Sequence, residues 1–279
     1  MLFSMVRPWI FALILITNLL VSVAKAGDSL QLVRSYALEH PVRYFTVDHL
    51  GSFYLITRSN ELIKYDINGQ WVGNYRQQVL GPLEGVDVFN PLQLLLFYPE
   101  LATLVQLDNM LYPTNQFRLE AVKLSTRSLV CRSFDNNFWL YDERAFRLRK
   151  IALDMRQVVE GEWLQNQFSG SIKPTYLIEH QEQLFMVEPG LGILEFDLYG
   201  KYVRTIPIRG LERLDAHGDY LYYVKSGKAW RWHLRTGVEE PLVYREAAAI
   251  RQIKVTAQGH YVLSRTALLH YGHTDVGNR

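Results

Sequence analysis

The stretch FYLITRSNELIKYDINGQWVGNYR, residues 53–76, decides how the chain is read. It holds three short runs of strand-forming residues, FYLITR (53–58), LIKYDING (62–69) and WVGNYR (71–76), separated by polar turns. Branched and aromatic side chains suit a pleated, packed surface, whereas Asn, Asp and Gly supply the bends. In the middle run Asp66 stands three residues before Gly69. A carboxylate there can accept turn N–H groups, and glycine takes the positive φ that a tight turn needs.

The first of these runs recurs. QLLLFY (93–98), FWLYD (138–142), LFMVE (184–188), LYYVK (221–225) and YVLSR (261–265) follow it, with last residues spaced by 40, 44, 46, 37 and 40 positions. Turn signals precede most of them, as in Asp48-His49-Leu50-Gly51, Asp135-Asn136-Asn137, His217-Gly218-Asp219 and Gln258-Gly259-His260. A partner strand follows, and ILEFDLYG (193–200) repeats the Asp-to-Gly spacing of 62–69. VQLDN (105–109) is similar, while WRWHLRTG (230–237) places His233 where the Asp would stand. Six units of four antiparallel strands, each about 42 residues long, are the blades of a β-propeller.

These units resemble the NHL type of six-bladed propeller, in which strands alternate with Asp/Gly turns. The resemblance spans about residues 30–271 and implies an all-β ring. Blade two departs from it at Phe89-Asn90-Pro91, and blade six lacks the second Asp-x-x-Gly. The sixth unit ends near Tyr271 after three strands, whereas LQLVRSYAL (30–38) is an orphan strand at the other end. The expectation is that the N-terminal strand completes the last blade and removes the open edge.

Residues 1–26, MLFSMVRPWIFALILITNLLVSVAKA, read as a signal peptide. Arg7 gives a positive start, an apolar stretch runs from Trp9 to Val23, and Ala24-Lys25-Ala26 is a cleavage pattern before Gly27. The apolar stretch is shorter than the ~20 residues that span a bilayer. The expected organisation is therefore a removable leader at 1–26 and one propeller domain at 27–279, exported to the periplasm or the exterior, monomeric and without membrane insertion after cleavage. The formal charge of +2 belongs to the leader, whose Arg7 and Lys25 are the whole excess of Lys and Arg over acids. A neutral mature chain offers no footprint for nucleic acid. The chain is 48% hydrophobic and 13% aromatic, too apolar to be disordered. Its single cysteine, Cys131, allows no internal disulfide and reads as an apolar residue of an inner strand.

Four strands A to D, counted outward from the channel, put the B–C and D–A loops on one face and the A–B and C–D turns on the other. The strand B ends, Arg58, Tyr98, Asp142, Glu188, Lys225 and Arg265, would ring the first face. They are the candidate partner-binding residues, for a protein segment or a glycan, against the plainer reading of solvated loop ends. The D–A segments around 77–85, 114–128 and 156–175 would overhang that face. His49, His180, His217 and His260 fall in or beside A–B turns on the other face, where they read as residues solvating a bend. Trp71, Trp139, Trp163, Trp230 and Trp232 read as packing between blades, the last two on one strand face.

No nucleophile elbow, phosphate loop or dinucleotide fingerprint occurs, so no catalytic residue, cofactor or metal is assigned. The function expected is an interaction module of the cell envelope. The alternative is a metal-dependent hydrolase or lyase of lactonase type at the channel mouth. Asp142 and Glu188, in adjacent blades, would start its cation site, although Arg58, Lys225 and Arg265 hold the equivalent positions elsewhere.

Overall fold

Every side chain of Phe53–Thr57 is buried, and successive residues enter different cores. Phe53 and Leu55 pack with Tyr261, Leu263 and Leu268, while Tyr54 and Ile56 pack with Leu94, Leu96 and Tyr98. A strand covered on both faces has no polar side, so its sequence is a continuous apolar run. The same holds for Leu94–Tyr98, Phe138–Asp142 and Gly259–Leu263, whose residues are all buried.

The computed structural model describes residues 30–119, 129–168, 170 and 172–273. The expected leader at 1–26 and residues 120–128 of the expected 114–128 segment lie outside them. The described strands are numbered in chain order, beginning with β1 (Leu30–Ala37). Blade one is β2 (Val42–Val47), β3 (Phe53–Thr57), β4 (Glu61–Tyr65) and β5 (Trp71–Arg76). Blade two is β6 (Gly85–Asp87), β7 (Leu94–Tyr98), β8 (Thr103–Leu107) and β9 (Pro113–Arg118). Blade three is β10 (Leu129–Arg132), β11 (Phe138–Asp142), β12 (Arg147–Ile151) and β13 (Gln157–Glu160). Blade four is β14 (Tyr176–His180), β15 (Gln183–Glu188), β16 (Gly192–Phe196) and β17 (Tyr202–Ile206). Blade five is β18 (Leu214–His217), β19 (Tyr220–Lys225), β20 (Lys228–His233) and β21 (Glu239–Leu242). Blade six is β22 (Gln252–Thr256), β23 (Gly259–Leu263) and β24 (Ala267–His273), with β1 as its outer strand.

The chain is thus an all-β, six-bladed propeller. Six apolar clusters fill the six gaps between neighbouring blades, the last joining blade six to blade one. The N-terminal strand closes the ring as its sequence implied, pairing antiparallel with β24 from Leu30↔His273 to Ala37↔Ala267. It also reaches blade one, where the Tyr36 ring packs 4.6 Å from Phe53 and its hydroxyl donates to the Ile67 carbonyl at 3.0 Å. On the inner rim the Gln252 amide accepts from Phe45 N at 3.1 Å and donates to Phe45 O at 2.8 Å. A side chain there substitutes for the ladder bonds that two separate blades lack.

The turn chemistry follows the sequence. Asp66, Asp108 and Asp197 each accept the N–H groups two and four residues on, at 2.8–2.9 Å. His233 takes the Asp position and accepts through Nδ1 from the N–H groups two and three residues on, Arg235 N at 3.2 Å and Thr236 N at 3.3 Å. Two expected loops begin later than the sequence suggests, because 113–118 and 157–160 form the outer strands β9 and β13. Trp230 and Trp232 share the core between blades four and five, and Trp139 is fully buried. Trp71 and Trp163 are exposed, and the Arg147 guanidinium covers Trp163 at 4.5 Å.

Candidate functional site

The inner strands surround a cup of ≈ 1060 Å³ that opens on the A–B turn face. Each blade contributes a turn to its mouth: His49, Phe89, Phe134, Glu182, His217 and Gln258 stand there in ring order. The walls are largely apolar, with Val88, Leu95, Phe97, Val130, Phe138 and Val255 among the lining side chains. A wide apolar cavity with few polar groups is the usual form of a binding site.

The rim is two-sided. Leu50, Phe89, Leu92 and Phe134, on the A–B turns of blades one to three, are 58%, 64%, 67% and 58% exposed. Blades four to six offer Gln181, Glu182, Gly218 and Ala257 as their exposed turn residues. Phe89 and Phe134 are held from beneath by cations. The Arg132 guanidinium lies 5.9 Å from the Phe89 ring, and Lys150 Nζ lies 5.3 Å from Phe134 and 5.2 Å from Trp139. Glu179 of blade four fixes the Phe134 turn by accepting from Ser133 Oγ at 2.7 Å, Phe134 N at 3.0 Å and Trp139 Nε1 at 2.6 Å.

The floor of the cup is a polar septum. Arg213 extends between the rings of Tyr44 and Tyr176, 4.7 and 5.3 Å from its guanidinium, toward Glu84. Beyond it lies a smaller cavity of ≈ 390 Å³ that shares Tyr44, Tyr176, Arg213 and Lys254 with the cup. Burial raises the Tyr176 phenol well above its ordinary range. Burial also raises the Asp87 carboxyl, against the opposing pull of Arg132. For Lys254 burial acts to lower the pKa, but Asp215, 2.6 Å away, outweighs it and the net shift is upward. Cys131 lies half-buried in the cup wall on the innermost strand, and burial beside Glu179 and Asp87 pushes its thiol well up. A protonated thiol is a poor nucleophile.

The six strand B ends have different surroundings. Tyr98 is buried in the core between blades one and two. Asp142 is buried, and its carboxylate accepts from Arg144 N and Ala145 N at 3.1 Å and from Arg149 at 3.2 Å. Glu188 accepts from Leu191 N at 2.6 Å and Lys173 N at 3.4 Å. The two carboxylates considered for a cation therefore close their own loops. Arg58, Lys225 and Arg265 are exposed, and partial burial, then the charges of Arg58 and Arg265, push the Arg251 pKa down. Among the described residues no three His, Cys, Asp or Glu side chains are grouped so as to hold a metal ion. Of the four turn histidines, His49, His180 and His217 stand at the mouth. His260 instead is buried in β23, bonded to the Tyr244 hydroxyl at 2.6 Å.

Solved structures share this fold. The chain resembles virginiamycin B lyase from Staphylococcus aureus with TM-score 0.58 and 14% identity, over 84% of this chain and 83% of that one. It resembles BamB from Moraxella catarrhalis with TM-score 0.52 and 11% identity, over 90% and 100% of the two chains. The WD40 domain of Neurospora crassa Pan2 gives TM-score 0.58 and 9% identity, over 89% and 96%. Likeness at this identity is a likeness of fold. No protein-family model matches the sequence, and the search of curated proteins gives no match.

Proposed function

We propose that the chain is an exported interaction module whose cup takes up a segment of a protein partner. One observation carries the reading: the apolar cup opens between Phe89 and Phe134, two rings that the fold holds exposed at the mouth. Large aromatic side chains fixed from behind are typical anchors of protein recognition. The apolar walls favour side chains over a glycan, whose hydroxyls would leave hydrogen bonds unmet there. Export rests on the leader-like residues 1–26.

The reading chooses the A–B face over the strand B ends, and site-directed photo-crosslinking separates the two. A photoreactive residue at 89 or 134 gives discrete adducts in the native host, and Phe134→Asp placed beside the residue at 89 removes them. The same probe at 58 or 225 gives none. Adducts only from 58 or 225 would overturn the choice of face. Cell fractionation tests export, with a mature chain beginning at Gly27 as the expected product.

A further inference from the structure

We propose that the ≈ 390 Å³ cavity on the far side of the septum is a second binding site, for a small organic molecule that bears an oxyanion, carboxylate or phosphate. Its mouth lies on the face opposite the cup. Ser226 and Gly227, in the loop between β19 and β20, border it there with Gly210 and Glu212, in the loop before β18. Tyr44 and Tyr176 close its inner end, where it meets the cup. A cavity of this volume suits one small ligand.

The wall is charged where that of the cup is apolar. Arg43, Arg213, Arg251 and Lys254 line it, against the carboxylates of Glu212 and Asp215. Arg43 lies 3.1 Å and Arg213 3.5 Å from the one Glu84 carboxylate, so two guanidinium groups share a single negative charge. Lys254 Nζ lies 2.6 Å from Asp215, whose other oxygen accepts from Val255 N at 2.7 Å. Arg251 differs from these. Its backbone N–H is fixed on Leu263 O at 2.8 Å, yet among the described residues its exposed side chain makes no ion pair and no hydrogen bond. The neighbouring Gln252 amide is already bonded to both polar backbone groups of Phe45. Even with Glu84 counted, cations outnumber carboxylates around the cavity, and Arg251 carries the surplus. A bound oxyanion offsets that charge and matches the planar fork of a guanidinium with charge-assisted hydrogen bonds. Donors remain at the inner end as well. Neither the Tyr44 nor the Tyr176 hydroxyl has a hydrogen-bond partner among the described residues, and burial keeps the Tyr176 phenol protonated. Phenolic donors there suit further oxygens of the ligand.

Calorimetric titration and differential scanning fluorimetry of residues 27–279 test this, with inorganic phosphate and citrate against chloride at one ionic strength. Phosphate or citrate should bind saturably and raise Tm by about 3 °C at ten times its dissociation constant. The tighter of the two distinguishes a phosphate ligand from a carboxylate one. Arg251→Gln should weaken that binding at least about tenfold. Without anion this variant should melt within about 2 °C of the parent, since the side chain it replaces is exposed and unpaired. Arg156→Gln, which removes an exposed arginine of blade three outside the cavity, should bind as the parent does. Equal affinity in the parent and Arg251→Gln, equal weakening in the two variants, or no rise beyond that of chloride would overturn the proposal. The cup is untouched by these substitutions, because neither arginine lines it.

Discussion

Arg213 of blade five crosses the channel and places Nη2 3.5 Å from the carboxylate of Glu84 in blade two. The same nitrogen donates to the Glu84 carbonyl at 3.3 Å, and Arg43 holds the other carboxylate oxygen at 3.1 Å. The septum is therefore a charge pair tied across the ring and stacked between two tyrosines.

Arg213→Ala should join the two cavities and lower stability by about 1–3 kcal/mol, chiefly through the lost ring contacts. The ion pair is part-exposed and contributes less than about 1 kcal/mol. Arg213→Lys keeps the charge but not the planar group, so it should lose about half as much. Urea unfolding of both variants checks the order. No loss in the Lys variant would mean that charge alone holds the septum, and equal losses that charge contributes nothing to it.

The closure makes a separate prediction. Removing 30–38 exposes the edge of β24 and deletes the Tyr36 contacts with blade one. Seven paired positions with net hydrogen-bond terms of about 1 kcal/mol each make the loss on the order of 5 kcal/mol. A peptide of residues 30–38 added to the shortened chain should restore part of the Tm. Unchanged melting of the shortened chain would contradict the closure.

Acid sensitivity should concentrate at the Asp135 turn. Burial acts to raise this carboxyl, but hydrogen bonds from Lys150 and Asn137 outweigh it and hold the pKa at about 2. The ordinary value is about 4. A group depressed on folding adds stability that is present above about pH 4 and lost as pH falls toward 2. Asp135→Asn should therefore be less stable above pH 4 and show a shallower decline between pH 4 and pH 2. Denaturant midpoints across that interval measure both effects.

The ring was readable in the sequence because its second strands are buried on both faces. Phe53–Thr57 and Phe138–Asp142 are unbroken apolar runs, and the repeat is visible in them alone. The turns were readable because Asp66 and Asp197 work within four residues of themselves. The cup was not. Its wall comes from inner strands as short as Gly85–Asp87 and Leu214–His217, which carry no apolar run. The partners Arg213 and Glu84 stand 129 residues apart. A local signal did exist in Phe89 and Phe134, each a phenylalanine placed where a turn calls for a small or polar residue. Strand B ends were ambiguous because one residue of register decides whether an end turns inward like Tyr98 or outward like Arg58.

Glu179 joins scaffold and site, so its removal should affect both. Its carboxylate crosses from blade four to blade three and accepts three hydrogen bonds there. One donor, the Trp139 indole, is fully buried and could not turn to water. Glu179→Ala leaves that N–H unmet, with a cost of about 2–3 kcal/mol. Glu179→Gln keeps an acceptor oxygen and should recover about half of it. Since Phe134 N is a second donor, the rim should loosen in the Ala variant while distant blades keep their protection. Hydrogen exchange resolves this: faster exchange confined to residues 132–139 is expected, and uniform acceleration around the ring would show that Glu179 serves global stability alone.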